Sequence, residues 1–176
     1  MTGSANCTPA VLGPLIVTAE LAAPDQAWFD QLRRAHYPAE RNQVPAHLTI
    51  FHALPPSAER EVRTALSRAA AEPAPRASVD GLMDLGGGVA FRIVSPELDR
   101  MREDLADSFR GLLVQDAGGW RPHITIQNKV AVREARALLV RLRAAFQPRP
   151  LAMRGLALDR YPGGPWERIA VYPFRG

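Results

Sequence analysis

The 176-residue sequence contains one cysteine, Cys7, and one lysine, Lys129. A single cysteine excludes a disulfide framework and any zinc site built from several thiolates. No apolar run approaches the roughly 20 residues that a transmembrane helix requires. The apolar stretch 11–23 is interrupted by Glu20 and has no basic leader, so it does not resemble a signal peptide. We therefore expect a cytoplasmic protein without a membrane partner.

Long runs of basic residues are also missing. No run of five or more occurs, which excludes a dedicated nucleic-acid-binding tail. The net charge is +4, with almost all of the basic residues arginine. This balance has two interpretations: a composition bias towards arginine on ordinary solvated surfaces, or a mildly basic surface that attracts anionic ligands such as phosphates. The hydrophobic content of 47% is that of a globular domain.

The spacing of apolar residues, broken by proline and glycine, predicts alternating strands and helices. Residues 1–11 are expected to form a flexible tail and residues 12–176 a single domain. Gly86, Gly87 and Gly88 predict a turn between strands; no Lys-Ser/Thr pair follows them, as a phosphate-binding loop would require. The predicted strands cover 15–20, 44–52, 78–85, 89–94, 120–128, 151–161 and 166–174, and the predicted helices cover 25–37, 58–71, 96–113 and 132–146.

The sequence carries an internal repeat. A shift of 76 positions places His47-Leu48-Thr49-Ile50 on His123-Ile124-Thr125-Ile126, and the helix 58–71 on 134–147. The same shift places Val17 on Ile93 and Leu82 on Leu158. A common register for four elements indicates a duplication. We predict an α+β fold with two lobes related by a pseudo-two-fold axis. Each lobe is a strand-helix-strand-helix-strand unit (about 13–85 and 88–161), with a last strand at 166–174. Mainly antiparallel sheets surround a central groove, and the helices lie outside.

The two repeated strands carry the chemistry. Because side chains alternate along a strand, His47 and Thr49 share one face, as do His123 and Thr125, while their apolar neighbours share the other. In a two-fold arrangement the polar faces can line one groove. Near neutral pH one imidazole can accept a proton while the other donates one, and two hydroxyls can bind phosphate oxygens. Such a set supports phosphodiester chemistry without a metal.

At these residues the sequence resembles the two-histidine phosphoesterase superfamily, in its branch of 2′-5′ RNA ligase-like proteins and cyclic phosphodiesterases. The family signature is a pair of His-x-Thr/Ser-x motifs that end in a hydrophobic residue, and both copies match. The stretches VPAHLTIF (44–51) and RPHITI (121–126), and the ending from Trp166 to Phe174, are similar to those of the family. The resemblance covers roughly residues 13–174. It implies that His47 and His123 are the acid and base, that Thr49 and Thr125 bind phosphate, and that the substrates are RNA or nucleotides with a 2′,3′-cyclic phosphate or a 2′-5′ linkage.

Other residues near the motif strands are candidates for substrate binding. Phe51 and Gln127 follow the two motifs on the same predicted faces, where Phe51 could stack on a base or simply cap the groove. His52 is predicted to face away from His47 and to be structural. Five further candidates for binding phosphate or base lie near the motif strands or their ends: Arg41, Arg121, Arg160, Tyr161 and Trp166.

A metal site is the main alternative use of two histidines. Zinc requires three or four ligands, whereas the position two residues after each histidine is threonine. We therefore predict a metal-independent phosphoesterase that needs no cofactor and acts as a monomer. A reversible 2′-5′ RNA ligase and a non-catalytic module that binds RNA or nucleotides remain as alternatives.

Overall fold

The computed structural model describes residues 13–112 and 119–175. The predicted tail, 1–11, lies outside these residues, as does the predicted helix end at Leu113. Two short 3₁₀ turns, Ala39–Arg41 and Pro56–Ala58, accompany the main elements. The strands and helices, in chain order, are β1 (Leu15–Leu21), α1 (Ala23–His36), β2 (Leu48–Leu54), α2 (Glu59–Ala69), β3 (Ala77–Asp84), β4 (Val89–Val94), α3 (Pro96–Ser108), β5 (His123–Gln127), α4 (Val132–Ala145), β6 (Arg149–Leu151), β7 (Met153–Arg160) and β8 (Glu167–Pro173).

Helix α3 begins and packs as its sequence indicates. The Ser95 hydroxyl caps α3 by accepting a hydrogen bond from the Leu98 amide at 3.1 Å, and Pro96 occupies the first turn, where no amide donor is needed. Leu98 and Leu105 form the buried face of this helix. Burying each such side chain contributes roughly 1.5–3 kcal/mol. In the described part of the chain, every helix is too short or too polar to cross a membrane.

The eight strands of the described residues form one continuous sheet in the order β6-β3-β4-β5-β2-β1-β7-β8. Every pairing is antiparallel, and the four helices complete the predicted α+β fold. The order is symmetric about the central pair, β2 and β5. The prediction of more than one sheet is wrong in this respect, because the two motif strands pair directly and join the halves.

The halves of the sheet do not coincide with the contiguous sequence repeats. β3 belongs to the first repeat but pairs with β4 and β6, whereas β7 belongs to the second and pairs with β1 and β8. The physical reason is the tight turn at 85–88, where the Leu85 amide donates to the Gly88 carbonyl at 3.0 Å. A turn this short forces β3 to pair with its neighbour in sequence.

Both motif strands contain a β-bulge at the same place in the repeat. Val17 and Thr18 pair with Phe51 and Thr49, so Ile50 is the extra residue in β2. Val89 and Ala90 pair with Gln127 and Thr125, so Ile126 is the extra residue in β5. A bulge reverses which face the following side chains take.

The strand pairing also corrects two of the repeat equivalences. Val17 occupies the position of Val89, not of Ile93, because each lies opposite the residue that follows the bulge. Leu158 and Asp84 are the respective partners of Val17 and Val89, so Leu158 corresponds to Asp84 and not to Leu82. The single shift of 76 holds for the motif strands but not for the strands beside them, because the connecting segments differ in length.

The core lies between the helices and one face of the sheet. Leu48, Ile50, Ile124 and Ile126, the apolar members of the two motifs, are all fully buried in it. Phe29 joins this core beside Trp28 and Phe91, with ring centroids 4.7–5.7 Å apart. Burial of these residues leaves the opposite face of the central strands, with its polar side chains, for a groove.

Candidate active site

The central pair of strands brings the four polar motif residues together. Leu48 of β2 pairs with Ile124 of β5 in antiparallel register. That register puts His47 across from Thr125 and Thr49 across from His123, where opposite side chains have their Cβ atoms about 5 Å apart. The four half-buried side chains line one cavity of about 360 Å³. The remaining lining residues are His52, Arg102, Gly119, Trp120, Arg121 and Trp166.

Both imidazole rings are anchored in the same way. Nδ1 of His47 lies 2.8 Å from the carbonyl oxygen of Pro45, and Nδ1 of His123 lies 2.7 Å from that of Arg121. Since a carbonyl can only accept, Nδ1 is the protonated nitrogen in each ring. Nε2 is therefore left to exchange a proton with a ligand in the cavity.

The two rings differ in their surroundings. The indole of Trp166 packs on His47 with ring centroids 4.5 Å apart. Burial, together with the nearby positive charges of Arg33, His52 and His123, lowers the pKa of His47 to about 4 against the opposing hydrogen bond to Pro45. His47 is therefore a neutral ring at pH 7, which is the state a general base requires.

Each motif threonine is held through its carbonyl oxygen by a side chain from elsewhere in the fold. The Trp120 indole donates to the Thr49 carbonyl at 3.0 Å, and the Arg33 guanidinium donates to the Thr125 carbonyl at 2.8 Å. Both threonines lie just before a bulge, where ladder hydrogen bonding is disrupted. The two donors therefore support the backbone at equivalent places in the two repeats.

Arg33 is an unusually enclosed cation. It is 3% exposed, donates from Nε to the Asn42 amide oxygen at 3.0 Å, and stacks on the Tyr37 ring at 4.2 Å. Burial lowers the pKa of Arg33. Its place in α1, 92 residues before Thr125, is one that the motif pattern could not reveal.

Arg102 is another site residue that the sequence analysis missed. Its Nε donates to the Ile50 carbonyl at 3.2 Å, and its guanidinium lies 5.1 Å and 5.2 Å from the rings of Phe51 and Trp120. Trp120 was available as a signal, three positions before His123. Arg102 lies on α3, where nothing in its own sequence context distinguishes it from other helix arginines.

The predicted roles of Phe51 and Gln127 in the groove are wrong. Phe51 is fully buried and packs edge-on against Phe109, with ring centroids 5.4 Å apart. Gln127 is 2% exposed and donates to Glu134 at 3.3 Å. Strict alternation would have placed both beside the histidines, but the bulges turn them into the core. The same reversal places His52 in the cavity wall, against the expectation that it faces away.

The peripheral candidates are divided by the structure. Arg121 and Trp166 line the cavity, as expected of groove residues. Arg41, in a 3₁₀ turn, and the exposed Tyr161 lie outside the cavity wall. Arg160 donates to Glu59 at 2.5 Å and is likewise absent from it. Within residues 13–112 and 119–175, no three histidine, cysteine, aspartate or glutamate side chains are grouped so that they could hold a metal ion.

The chain is similar to known proteins in sequence pattern and in fold. The model of the 2′-5′ RNA ligase superfamily matches residues 21–165. No curated protein matches the sequence. TT0787 of Thermus thermophilus has a TM-score of 0.63 at 19% identity, covering 93% of this chain and 98% of its own.

Two further solved structures share the fold to the same degree. Escherichia coli LigT complexed with 3′-AMP has a TM-score of 0.63 at 14% identity, covering 94% of this chain and 99% of LigT. A structure described as a phosphoesterase has a TM-score of 0.63 at 15% identity, covering 93% of this chain and 99% of its own. At these identities the likeness shows the fold.

Proposed function

Because this chain belongs to the 2′-5′ RNA ligase superfamily, we propose that it is a phosphoesterase acting on 2′,3′-cyclic phosphates or 2′-5′ linkages of RNA or nucleotides. The observation that carries the proposal is the pairing of Leu48 with Ile124. This pairing presents two anchored imidazoles and two hydroxyls, one of each from either repeat, to one cavity.

The proposed reaction is in-line displacement at phosphorus by acid–base catalysis. Nε2 of the neutral His47 ring takes a proton from water as the water oxygen attacks phosphorus. Nε2 of His123 gives a proton to the ribose oxygen as its bond to phosphorus breaks. One proton enters the His47 ring and one leaves the His123 ring, so exchange with solvent restores the starting state.

The threonines stabilise the negative charge that builds up on the non-bridging phosphate oxygens. In this proposal the hydroxyls of Thr49 and Thr125 donate to the two non-bridging oxygens, each from the strand opposite the other. Preorganised donors of this kind cost no reorganisation during the reaction. Trp120 and Arg33 contribute by holding the carbonyls of the same two threonines.

The kind of substrate is suggested by what the structural relatives hold. LigT has been crystallised with 3′-AMP, with NADP+ and with ATP, all of them nucleotides that carry phosphate. A cavity of about 360 Å³ has room for a phosphate and the sugar it is attached to, with Trp166 as an aromatic wall.

Ligation uses the same geometry with a different nucleophile. If a 5′-hydroxyl of a second RNA end replaces water and attacks phosphorus as the bond from phosphorus to the 3′ oxygen breaks, the same proton transfers join the ends through a 2′-5′ linkage. The name of the matched superfamily is what favours keeping this second candidate. tRNA halves with 2′,3′-cyclic phosphate and 5′-hydroxyl ends distinguish the two, because ligation lengthens the RNA whereas ring opening does not.

The test is a panel of 2′,3′-cyclic nucleotides and 2′-5′ oligoadenylate, with the 2′- and 3′-monophosphate products resolved. We expect turnover that persists in excess EDTA. Activity that EDTA abolishes and zinc restores would overturn the acid–base proposal. Nucleotide binding without turnover of any panel member, retained after replacement of both histidines, would instead establish a non-catalytic binding module.

A further inference from the structure

Two additional cavities flank the catalytic one, one on each side. A cavity of about 580 Å³ shares Arg102, Trp120 and Arg121 with it. A smaller cavity of about 230 Å³ shares His47 and Trp166 with it. The catalytic cavity therefore has a neighbour on each side that shares wall residues with it, and a substrate larger than one nucleotide has space next to the histidines.

The two sides carry opposite charge at equivalent positions. Arg92 pairs with His123, whereas Glu20 follows Ala19, the partner of Leu48, and so lies beside His47. By the equivalence of Thr18 with Ala90, Glu20 and Arg92 correspond in the two halves of the sheet. The pseudo-two-fold symmetry of the histidines is thus broken by an acid next to one and a base next to the other.

The smaller cavity, on the His47 side, is unsuited to phosphate. Glu20 and the buried Asp159 line it. The arginine among its described lining residues, Arg168, already donates to both carboxylates. A phosphate bound here would therefore lie next to the side chains of Glu20 and Asp159, and the nearby Arg168 is already hydrogen-bonded to both of them.

The larger cavity, on the His123 side, offers arginines that lack a carboxylate partner. Neither Arg102 nor Arg121 forms a salt bridge with a carboxylate of a described residue. Arg102 instead uses Nε on a backbone carbonyl, which leaves its terminal nitrogens for a ligand. Asp99 and Glu103 also line this cavity, and Arg92 is bound to Asp80 at 2.7 Å, so the available positive charge is concentrated at the shared wall.

We infer that the cavity beyond Trp120 is a second phosphate subsite, so that the preferred substrate carries another phosphate besides the one at the histidines. The inference rests on the proposed function. Arginine presents a planar fork of donors that matches two phosphate oxygens, which suits Arg102 and Arg121 to this role. The half-buried Trp120 ring between the two cavities provides a platform for the sugar or base that links the phosphates.

A second phosphate can come from two kinds of molecule. It can be the phosphodiester that precedes a 2′,3′-cyclic end in an RNA chain, or the pyrophosphate of a dinucleotide such as ADP-ribose cyclic phosphate. Measuring kcat/KM for 2′,3′-cyclic AMP, for a dinucleotide with a cyclic end and for ADP-ribose cyclic phosphate distinguishes them. We expect kcat/KM for one of the two larger substrates to exceed that for cyclic AMP by about 10- to 100-fold, which is the contribution of one or two charge-assisted hydrogen bonds.

The variants test whether the arginines cause that preference. In Arg102→Gln and in Arg121→Gln, the ratio of kcat/KM for the larger substrate to kcat/KM for cyclic AMP should fall towards one. The control is Arg133→Gln, on the exposed face of α4, in which this ratio should stay as in the wild type. In the wild type, raising the salt concentration should reduce the ratio, because the additional contact is ionic. An unchanged ratio in both cavity variants would overturn the inference.

A binding measurement separates this inference from the proposed catalysis. Calorimetry with His47→Ala compares adenosine 3′,5′-bisphosphate with 3′-AMP, and requires no turnover. We expect the bisphosphate to bind at least about tenfold more tightly, and Arg102→Gln to remove that difference. Tighter bisphosphate binding without turnover of any cyclic phosphate would leave the subsite standing and overturn the proposed function. Turnover of cyclic phosphates with no gain from a second phosphate, in rate or in binding, would overturn the subsite alone.

Discussion

Leu48 pairs with Ile124 at the centre of the eight-stranded sheet, and the two residues hold the same position in the two sequence repeats. The pseudo-two-fold axis therefore passes between them. Each histidine lies across from the threonine of the other repeat, so neither repeat contains a complete site. The cavity is a joint product of both motifs, and this has consequences that can be measured.

The first consequence concerns the histidines as a pair. His47→Ala and His123→Ala should each reduce kcat by about 10²- to 10⁴-fold, the contribution of one positioned proton transfer. The double variant should lose far less than the product of the two, because removing either group disables the same concerted step. Single-turnover kinetics on a 2′,3′-cyclic nucleotide measure this. Independent, multiplicative losses would contradict a shared mechanism.

The acidic limb of the pH profile should report His47. Since kcat/KM follows the ionisation of the free enzyme, and the pKa of His47 is lowered to about 4, activity should persist well below the ordinary histidine value of 6.5. Trp166→Ala exposes the ring to water, so the acidic limb should move towards neutral pH. An acidic limb at the same pH in this variant would show that Trp166 does not contribute to the lowered pKa of His47.

The lowered pKa of His47 should also make the folded state less stable as the pH decreases. The folded state resists protonating His47 until about pH 4, whereas the unfolded chain takes up that proton near pH 6.5. Between these values the unfolded state binds more protons, so the free energy of unfolding decreases as the pH falls and is unaffected by this group above 6.5. The loss by pH 4 is no more than about 3 kcal/mol.

Denaturant titrations of the wild type and His47→Gln between pH 4.5 and 7.5 measure that contribution. Glutamine cannot titrate, so the difference in stability between the two proteins should change in favour of the variant as the pH is lowered through this window. A difference that is constant with pH would mean that His47 has the same pKa in both states.

Arg33 should matter for stability and for catalysis. Arg33→Met removes the donor to the Thr125 carbonyl and leaves that oxygen without its partner, at a cost of about 1–3 kcal/mol. Because the carbonyl belongs to a motif threonine, kcat should fall as well. Arg33→Lys, which keeps the charge, should recover part of the activity. Arg34→Met, an exposed neighbour in α1, is the control and should change neither quantity.

Phe51 should behave as a core residue and not as a base-stacking one. Phe51→Ala removes a fully buried ring and should cost about 3–5 kcal/mol of stability. Phe51→Leu keeps most of the volume, so it should fold and retain the KM of the wild type for a cyclic nucleotide. A large rise in KM with little loss of stability would place the ring in the groove instead.

Most of the secondary structure was accessible from the sequence. The strand at 89–94 and the start of the helix at Val132 were predicted to the residue, and the predicted α+β fold is confirmed. The short strand β6 was missed, since three residues provide too little alternation to detect. The strand predicted from Trp120 begins at His123, where the register with β4 ends at Arg92.

The duplicated motif alone was enough to identify four polar side chains that line one cavity, because alternation along a strand is local and needs no knowledge of its neighbours. Only the tertiary structure showed three other features. They are the pairing of β3 and β7 with strands of the other repeat, the bulges at Ile50 and Ile126, and the hydrogen bonds from Arg33, Trp120 and Arg102 to backbone carbonyls of the motif strands. Each of these depends on which backbone lies alongside which, and those partners are remote in the chain. A bulge leaves no mark on its own strand's pattern until the opposite strand is known, which is why Phe51, Gln127 and His52 each lie on the face opposite to the predicted one.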